Sequence, residues 1–202
     1  MSDSWRIEPL ARSHDRSHFA CGEPALDEYL ARFARQNHES GIAKTFVATG
    51  GGRPRQVLGY YSISAGAIDR DNLPTHAAKR FPSFPIPAAR LARLAVDREF
   101  QGHGLGEDLL LDALNRVLRA SGDIGIVAIL LDAKHEKAKC FYARYEFESL
   151  PDQPLTLWLP MTAVAKLFPE TSRHGWLREG HLRHRSPGAR SERSFRTSTA
   201  RA

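Results

Sequence analysis

Two hydrophobic periods run along this chain, and the shorter one marks its strands. Alternating or continuous apolar segments predict strands at residues 5–10, 44–49, 56–68, 88–97, 124–133 and 154–160. The glycine- and proline-containing segment 50–55 joins the second and third strands as a hairpin. Because residues 124–133 are apolar almost throughout, we expect both faces of that strand to be covered.

The longer period, at helical spacing, predicts helices at residues 21–37, 107–120 and 135–145. Pro24 lies early in the first helix, where its missing N–H costs nothing, and Gly41 closes the region. The proline-rich segment 73–87 is predicted as a loop that contains a short turn. The resulting order, β-α-β-β-β-α-β-α-β, is typical of the α/β class, with a mixed sheet flanked by helices.

Length and composition exclude several classes of protein. The chain has 202 residues, of which 42% are hydrophobic, and this fits one domain with a sizeable core. It has neither an 18-residue apolar run nor an N-terminal signal segment, so we expect no membrane contact and a cytoplasmic location. Its two cysteines, Cys21 and Cys140, fit a reducing compartment. No spacing of cysteine and histidine resembles a zinc site, and no metal is expected.

The positive charge of the chain is concentrated at its end. Residues 169–202 contain eight arginines and three acidic residues, a net of +5, which leaves +1 of the total +6 for residues 1–168. Such a polar segment cannot bury enough surface to offset its ordering entropy. We predict a folded domain at 1–168 and a disordered, arginine-rich tail at 169–202. The tail either touches nucleic acid or serves as a solubilising extension, and the sequence leaves both open.

Three glycines, Gly102, Gly104 and Gly106, separate the strand at 88–97 from the helix at 107–120. A helix N-terminus exposes unpaired N–H groups and partial positive charge, and glycines let an anion such as phosphate approach the backbone closely. The spacing fits neither a Walker loop, which needs Gly-Lys-Ser/Thr, nor the dinucleotide fingerprint, whose third glycine comes one residue later. A turn without a ligand is the alternative that the glycines alone leave open.

The wider stretch 90–114 resembles the acetyl-CoA loop of the GNAT family of N-acetyltransferases. The family pattern Gln/Arg-x-x-Gly-x-Gly/Ala is matched by residues 101–106. The resemblance implies the GNAT acyl-CoA N-acyltransferase fold, acetyl-CoA as co-substrate, and a preceding strand that splays from its neighbour. The residues that it assigns to the pantetheine arm are Leu94, Ala95 and Val96, and those that it assigns to the pyrophosphate are Gln101, Gly102, His103, Gly104, Leu105, Gly106 and Glu107. The ring of His103 occupies a variable position and is expected to be incidental.

A second stretch, 138–147, resembles the family pattern A-x-x-F-Y-x-x-x-G-F. Phe141 and Tyr142 match it, whereas Glu146 stands where the family has glycine. The resemblance implies that Tyr142 protonates the departing thiolate of coenzyme A. The alternative is that Tyr142 only packs against the sheet, and both roles are compatible because an aromatic ring can pack while its hydroxyl reacts.

The segment 19–41 narrows the resemblance to the acetyltransferase toxins of bacterial toxin–antitoxin pairs. The matching residues are Phe19, Cys21, Gly22, Leu26, Asp27, Gln36, Asn37 and Gly41. The likeness covers about residues 5–168. It implies an enzyme that acetylates the α-amino group of an aminoacyl-tRNA and blocks translation. It also implies a homodimer and a ribbon-helix-helix antitoxin, which neutralises the toxin and helps repress the operon, so that DNA is contacted only through the toxin–antitoxin complex.

The chemistry of that reaction agrees with the residues present. An α-amino group has a pKa near 7.7–8.0, and the ester in an aminoacyl-tRNA lowers it further, so no strong general base is needed. None is obvious in the sequence. Binding of tRNA requires a cationic patch that contacts the single-stranded CCA end. The cations that we assign to it are Lys44, Arg90, Arg93 and Lys137, with Lys79, Arg80, Lys134 and Lys139 as further candidates.

Two other functions stay open at this stage. The chain could be a GNAT acetyltransferase of a small amine or a protein lysine, with the same coenzyme half and a different acceptor pocket. It could also be a non-catalytic acyl-CoA-binding regulatory domain, although the intact loop and Tyr142 argue against this.

Overall fold

A seven-stranded mixed sheet runs through the part of the chain that the computed structural model describes, residues 5–50, 52, 53 and 55–169. Its strands are β1 (Trp5–Pro9), β2 (Lys44–Gly50), β3 (Gly59–Ile68), β4 (Ile86–Val96), β5 (Ala128–Asp132), β6 (Glu148–Leu150) and β7 (Gln153–Pro160). They lie in the order β1-β2-β3-β4-β5-β7-β6, and only β4 and β5 pair in parallel. The predicted mixed sheet is confirmed, and the tail from residue 170 onward lies outside the described residues.

The helices of the described residues flank this sheet. They are α1 (Pro24–Glu28), a π-helical turn (Tyr29–Phe33), α2 (Ala34–Ser40), α3 (Thr75–Ala78), α4 (Leu105–Ala120), α5 (Glu136–Ala143) and α6 (Met161–Leu167), with 3₁₀ turns at Arg70–Asn72 and Arg98–Phe100. Gly41 ends α2 in the left-handed conformation, at φ 80°. The predicted helix at 21–37 is thus interrupted by a π turn, in which the Ala34 N–H bonds to the Tyr29 carbonyl.

Some predicted boundaries were wrong. The apolar run 124–133 forms strand only over Ala128–Asp132, because it starts in a turn where Ile124 is 60% exposed. The sequence pattern gave no sign of β6, which has three residues, or of α6, which follows Pro160 directly. The predicted loop at 73–87 contains the four-residue helix α3.

Adjacent tyrosines on β3 show how the two faces of the sheet are covered. Successive strand residues point to opposite faces. Tyr61 packs in the cluster formed with α4 and α6, whereas Tyr60 packs with α1 and the π turn. The leucines of α4, among them Leu109, Leu110 and Leu114, are fully buried, and each such side chain contributes about 1.5–3 kcal/mol relative to exposure. Packing of α4 therefore fixes where its N-terminus lies on the sheet.

The pairing of β4 with β5 stops halfway along β4. Residues 88–90 of β4 pair with 128–130 of β5, and β4 continues to Val96 without a strand on that side. On the other edge, a bulge at Ala92 shifts the register between Ser62 and Ile63 of β3. The expectation that this strand splays from its neighbour is confirmed. The result is an open wedge whose vertex lies at Arg90 and Leu130.

The departure from the family pattern at Glu146 has a structural consequence. Glu146 follows α5 with φ 64°, and it is the one non-glycine residue of the described chain with positive φ. The turn therefore keeps the left-handed conformation that glycine adopts freely, and the glutamate carries a strain of about 1–2 kcal/mol.

We expect Glu146→Gly to raise the free energy of unfolding by about 0.5–1 kcal/mol, because it relieves the strain at a cost in unfolded-chain entropy. Urea denaturation measures it. Glu146→Ala is the matched control: it removes the carboxylate but keeps Cβ, so it should change stability by less than about 0.5 kcal/mol. Equal gains from both variants would show that the carboxylate, and not the backbone, is the source of the strain.

Candidate active site

The loop before α4 presents a row of unbonded main-chain N–H groups. Gly102 and Gly104 adopt φ 81° and 91°, and a Cβ on either would meet nothing within 4 Å. Within the described chain, the N–H groups of residues 102–106 make no hydrogen bond. Those of Gln101 and Glu107, at the two ends of the predicted set, are bonded to Arg98 and Gly104. The free groups lie at the positive end of the α4 dipole, so the loop fits a diphosphate.

Side chains near the loop hold it against the rest of the domain. The Gln101 side-chain amide donates to the carbonyls of Cys21 (2.9 Å) and Val96 (3.0 Å). The buried Asp97 carboxylate accepts from the N–H groups of Ala20 (2.9 Å) and Glu99 (3.0 Å). Sequence reasoning missed Asp97, although an acidic residue that ends an apolar strand before a tight turn is a capping signal.

The two acidic residues in the first turn of α4 both have partners. The Trp5 indole donates to Asp108 at 2.8 Å. Burial, and then a hydrogen bond to Glu107, raise the pKa of Tyr145. The Glu107 side chain therefore faces Tyr145, and His103 between the glycines is exposed. These contacts leave the loop amides, and not these acidic side chains, as the groups available to an anion.

The open edge of β4 carries main-chain groups of the predicted pantetheine residues. Asp97 bonds through its N–H to Leu58 on the β3 side. In a strand, the N–H and C=O of one residue point to the same edge, and those of the next residue point to the other edge. The main-chain groups of Ala95 therefore point to β3, as those of Asp97 do, and the groups of Leu94 and Val96 point to the open side. The Val96 carbonyl is taken by Gln101. The edge thus offers the Leu94 N–H and carbonyl and the Val96 N–H.

Tyr142 lies on α5, the helix that follows β5 in the chain. It is 8% exposed and packs against the rings of Phe141 (5.1 Å between centroids) and Phe147 (5.8 Å). Its hydroxyl has no hydrogen-bond partner among the described residues. Burial raises the pKa of Tyr142 to about 12. The group therefore keeps its proton at neutral pH and can serve as an acid.

The four predicted tRNA-contacting cations are not brought together as one cluster. Arg90 and Arg93 lie on the same face of β4, opposite Ser64 and Ser62 of β3. Lys44 opens β2, two strands away, and its ammonium donates to the carbonyl of His38. Lys137 is exposed in the first turn of α5.

Arg90 closes the vertex of the wedge. Its guanidinium forms an ion pair with Asp132, whose carboxylate also accepts from the Thr156 hydroxyl at 2.9 Å. Arg90 is therefore already engaged within the fold.

Over the residues that the structure describes, no group of three or more His, Cys, Asp or Glu is placed to hold a metal ion, and no helix has the length and apolar character needed to cross a bilayer.

Comparison with known proteins decides the family. Residues 42–149 match the acetyltransferase (GNAT) domain. The tRNA-acetylating toxin of Mycobacterium tuberculosis (strain ATCC 25618 / H37Rv) is 40% identical over 159 residues, which are 79% of this chain and 93% of that protein. The chain belongs to the GNAT acetyltransferase family. It is an acetyl-CoA-dependent N-acetyltransferase, and the loop and open β4 edge fit that co-substrate.

Two solved GNAT structures are similar over nearly their whole length. One is the toxin AtaT complexed with acetyl-methionyl-tRNAfMet, with a TM-score of 0.76, 33% identity, and coverage of 82% of this chain and 99% of that chain. The other is a tyrosine-to-phenylalanine variant of AtaT bound to the C-terminus of the antitoxin AtaR and acetyl-CoA, with a TM-score of 0.70, 31% identity and coverage of 82% and 99%. The GNAT fold predicted from the sequence is confirmed.

We expect Gly104→Ala to weaken acetyl-CoA binding by about tenfold or more in calorimetry. An alanine at this φ is strained, and its Cβ occupies the open space in front of the amides. Gly41→Ala is the control: Gly41 has a similar φ of 80° and open surroundings, but it ends α2. Both variants should lose about 1–2 kcal/mol of stability. Equal affinity of the two would contradict the assignment of the loop.

Proposed function

We propose that this GNAT enzyme is a toxin that transfers the acetyl group of acetyl-CoA to the α-amino group of an aminoacyl-tRNA and thereby blocks translation. The observation that carries the proposal is the identity of 40% with a tRNA-acetylating toxin over nearly that protein's whole length. The structure of AtaT with acetyl-methionyl-tRNAfMet supports it, since that ligand is the product of such a reaction.

The coenzyme half of the site is assigned to main-chain groups. The amides of Gly102, His103, Gly104, Leu105 and Gly106 would hold the pyrophosphate, with Gln101 and Glu107 framing the loop. The edge formed by Leu94, Ala95 and Val96 would hold the pantetheine arm, mainly through Leu94 and Val96. The support is that the N–H groups of residues 102–106 have no partner in the described chain, and that the Leu94 main-chain groups and the Val96 N–H face the side of β4 that β5 leaves open.

Tyr142 is assigned the role of general acid. The neutral amine attacks the thioester carbonyl, the C–S bond breaks, and the Tyr142 hydroxyl donates its proton to the departing sulfur. The proton that the nitrogen loses as the amide forms passes through solvent to the tyrosinate and restores the neutral phenol. The raised pKa of Tyr142 suits this role, because the hydroxyl is protonated near pH 8, where much of the α-amine is neutral. No general base is required, since an α-amino group is substantially neutral near pH 8.

The acceptor half is assigned to cations around the wedge. Of the four predicted tRNA contacts, Arg90 and Lys44 have partners within the fold, so their charges are partly satisfied. Arg93 and Lys137 have neither an ion pair nor a hydrogen bond in the described chain and are the more available. Contacts to the phosphate backbone and stacking on bases are the modes expected for a single-stranded 3′ end.

The proposal extends to partners and location. We assign to this toxin a ribbon-helix-helix antitoxin, a homodimeric state, contact with operator DNA only through the toxin–antitoxin complex, and action in the cytoplasm. The support is the likeness to AtaT, which was solved with the C-terminus of the antitoxin AtaR. Acetylation of a small amine or a protein lysine is the competing acceptor, and an assay with charged tRNA separates it. A non-catalytic role conflicts with membership of an acetyltransferase family.

We expect Tyr142→Phe to lower kcat for acetylation of aminoacyl-tRNA by about 10²–10⁴-fold, with acetyl-CoA affinity unchanged, because it removes the phenolic hydroxyl and keeps the packed ring. Tyr145→Phe, in the turn that follows α5, is the control that removes a neighbouring phenolic hydroxyl, and it should stay within about threefold of the parent. A Tyr142→Phe enzyme that acetylates charged tRNA at the parental rate would remove Tyr142 from the mechanism.

We expect kcat/KM for aminoacyl-tRNA to rise with pH, level off near pH 8, and show no descending limb up to pH 9. The rise follows deprotonation of the amine. Because the pKa of Tyr142 is raised to about 12, the acid form persists throughout this range. Rates of labelled acetyl transfer at saturating acetyl-CoA measure the profile. A fall in rate with a midpoint below pH 9 would show that a different acid is at work.

A further inference from the structure

Arg93, like Lys137, has no counter-ion among the described residues, but unlike the exposed Lys137 it is half-buried and lies over an aromatic ring. It is half-buried on β4, and its guanidinium makes neither an ion pair nor a hydrogen bond with the described residues. Its carbon lies instead 3.7 Å from the centroid of the Tyr29 ring. A desolvated guanidinium without an acidic partner is costly, and a stack on an aromatic ring offsets only part of the cost. The donors at its edge remain free.

Tyr29 is built into the fold as a rigid support for this guanidinium. It opens the π turn, is 4% exposed, and packs on the Tyr60 ring at 6.2 Å and 22°. Its hydroxyl is buried and has no hydrogen-bond partner in the described chain. Single π turns within α-helices are frequent at functional sites. Because the ring is buried and packed, it restricts the orientations open to the Arg93 guanidinium before a ligand arrives, and less entropy is lost on binding.

The position of Arg93 along β4 places it next to the proposed path of the coenzyme. Arg93 follows the bulge at Ala92, in the part of β4 that has no β5 neighbour. The proposed pantetheine arm starts at the loop 102–106 and runs along the open edge of β4 toward the vertex of the wedge. Its far end, which carries the acetyl group, then reaches the level of Arg93. On this path the acceptor amine that attacks the acetyl group would also lie near the level of Arg93 along β4.

Resting on the proposed function, we propose that Arg93, supported by Tyr29, binds the phosphodiester that precedes the nucleotide carrying the amino acid, and so positions the amine at the wedge. In an aminoacylated 3′ end this is the nearest anion to the ester. A guanidinium fork matches a phosphate with two parallel hydrogen bonds, and phosphate contacts fix the register of a nucleic acid. Arg93 is thus a positioning residue for the acceptor, and Tyr29 acts through it.

The chain supplies a matched control for this arrangement. Arg116 on α4 lies 4.0 Å from the centroid of the Phe46 ring, so it has the same stacked geometry. Unlike Arg93, it pairs with Asp112 at 2.7 Å, and Phe46 belongs to the cluster on the opposite face of the sheet. A variant of Arg116 loses an equivalent stack without touching the wedge.

The test compares two aminoacylated RNA minihelices that differ at one linkage. One has the natural terminal phosphodiester, and the other has a neutral methylphosphonate there. We expect the parent enzyme to lose about 10–100-fold in kcat/KM on the neutral linkage, the range of one charge-assisted hydrogen bond. The ratio of kcat/KM on the natural linkage to kcat/KM on the neutral linkage is the quantity compared. Arg93→Gln should be slow on both minihelices, with a ratio near one, whereas Arg116→Gln should keep the parental ratio. The KM for acetyl-CoA should not change in any of them.

Tyr29 is tested in the same assay. Tyr29→Phe keeps the ring and should keep the parental ratio, whereas Tyr29→Leu removes the support and should lower the ratio several-fold. If Tyr29→Leu does not fold, the Arg93 and Tyr29→Phe results still decide the matter. Equal rates of the parent on both minihelices would overturn the role of Arg93 alone. Failure of the parent to acetylate even charged tRNA would overturn the proposed function instead.

Discussion

The parting of β4 from β5 is the constraint on which this site depends. Two parallel strands that paired along their full length would satisfy each other's main-chain groups and leave no room for a ligand. Here the ladder ends at Arg90 and Leu130, and the Arg90–Asp132 ion pair holds the two strands together at that point. Beyond it the polar edge of β4 faces an opening, where an extended ligand can complete the hydrogen bonds that β5 does not make.

A second set of unsatisfied groups lies at the end of that edge. The amides of residues 102–106 are held apart from internal partners by two left-handed glycines and by the burial of Leu105 in the core. Gln101 and Asp97 bind this loop to the segment before α1, so hydrogen bonds join the N-terminal part of the domain to the candidate coenzyme site. The toxin-like residues Phe19 and Cys21 belong to this connection, since the Cys21 carbonyl accepts from Gln101 and Phe19 packs edge-on against Tyr60.

Much of this could be predicted from the sequence because the signals are local. The glycine spacing before an amphipathic helix, the hairpin, and the apolar run of β5 are all written in contiguous residues. What could not be predicted depends on contacts between distant residues. The Arg93–Tyr29 stack joins positions 64 residues apart in the chain, and the π turn that places Tyr29 leaves the helical period almost unchanged. At Glu146 the sequence showed a departure from glycine, but not that the turn would keep its left-handed form.

The central claim is that open main-chain groups, and not charged side chains, hold the coenzyme. Amide hydrogen exchange with and without saturating acetyl-CoA tests it most directly, because it monitors those N–H groups themselves. The account predicts that exchange slows by about tenfold or more at residues 102–106 and at Leu94 and Val96, with no change in β1 and β2. Bound acetyl-CoA that leaves exchange at residues 102–106 unaltered would contradict it.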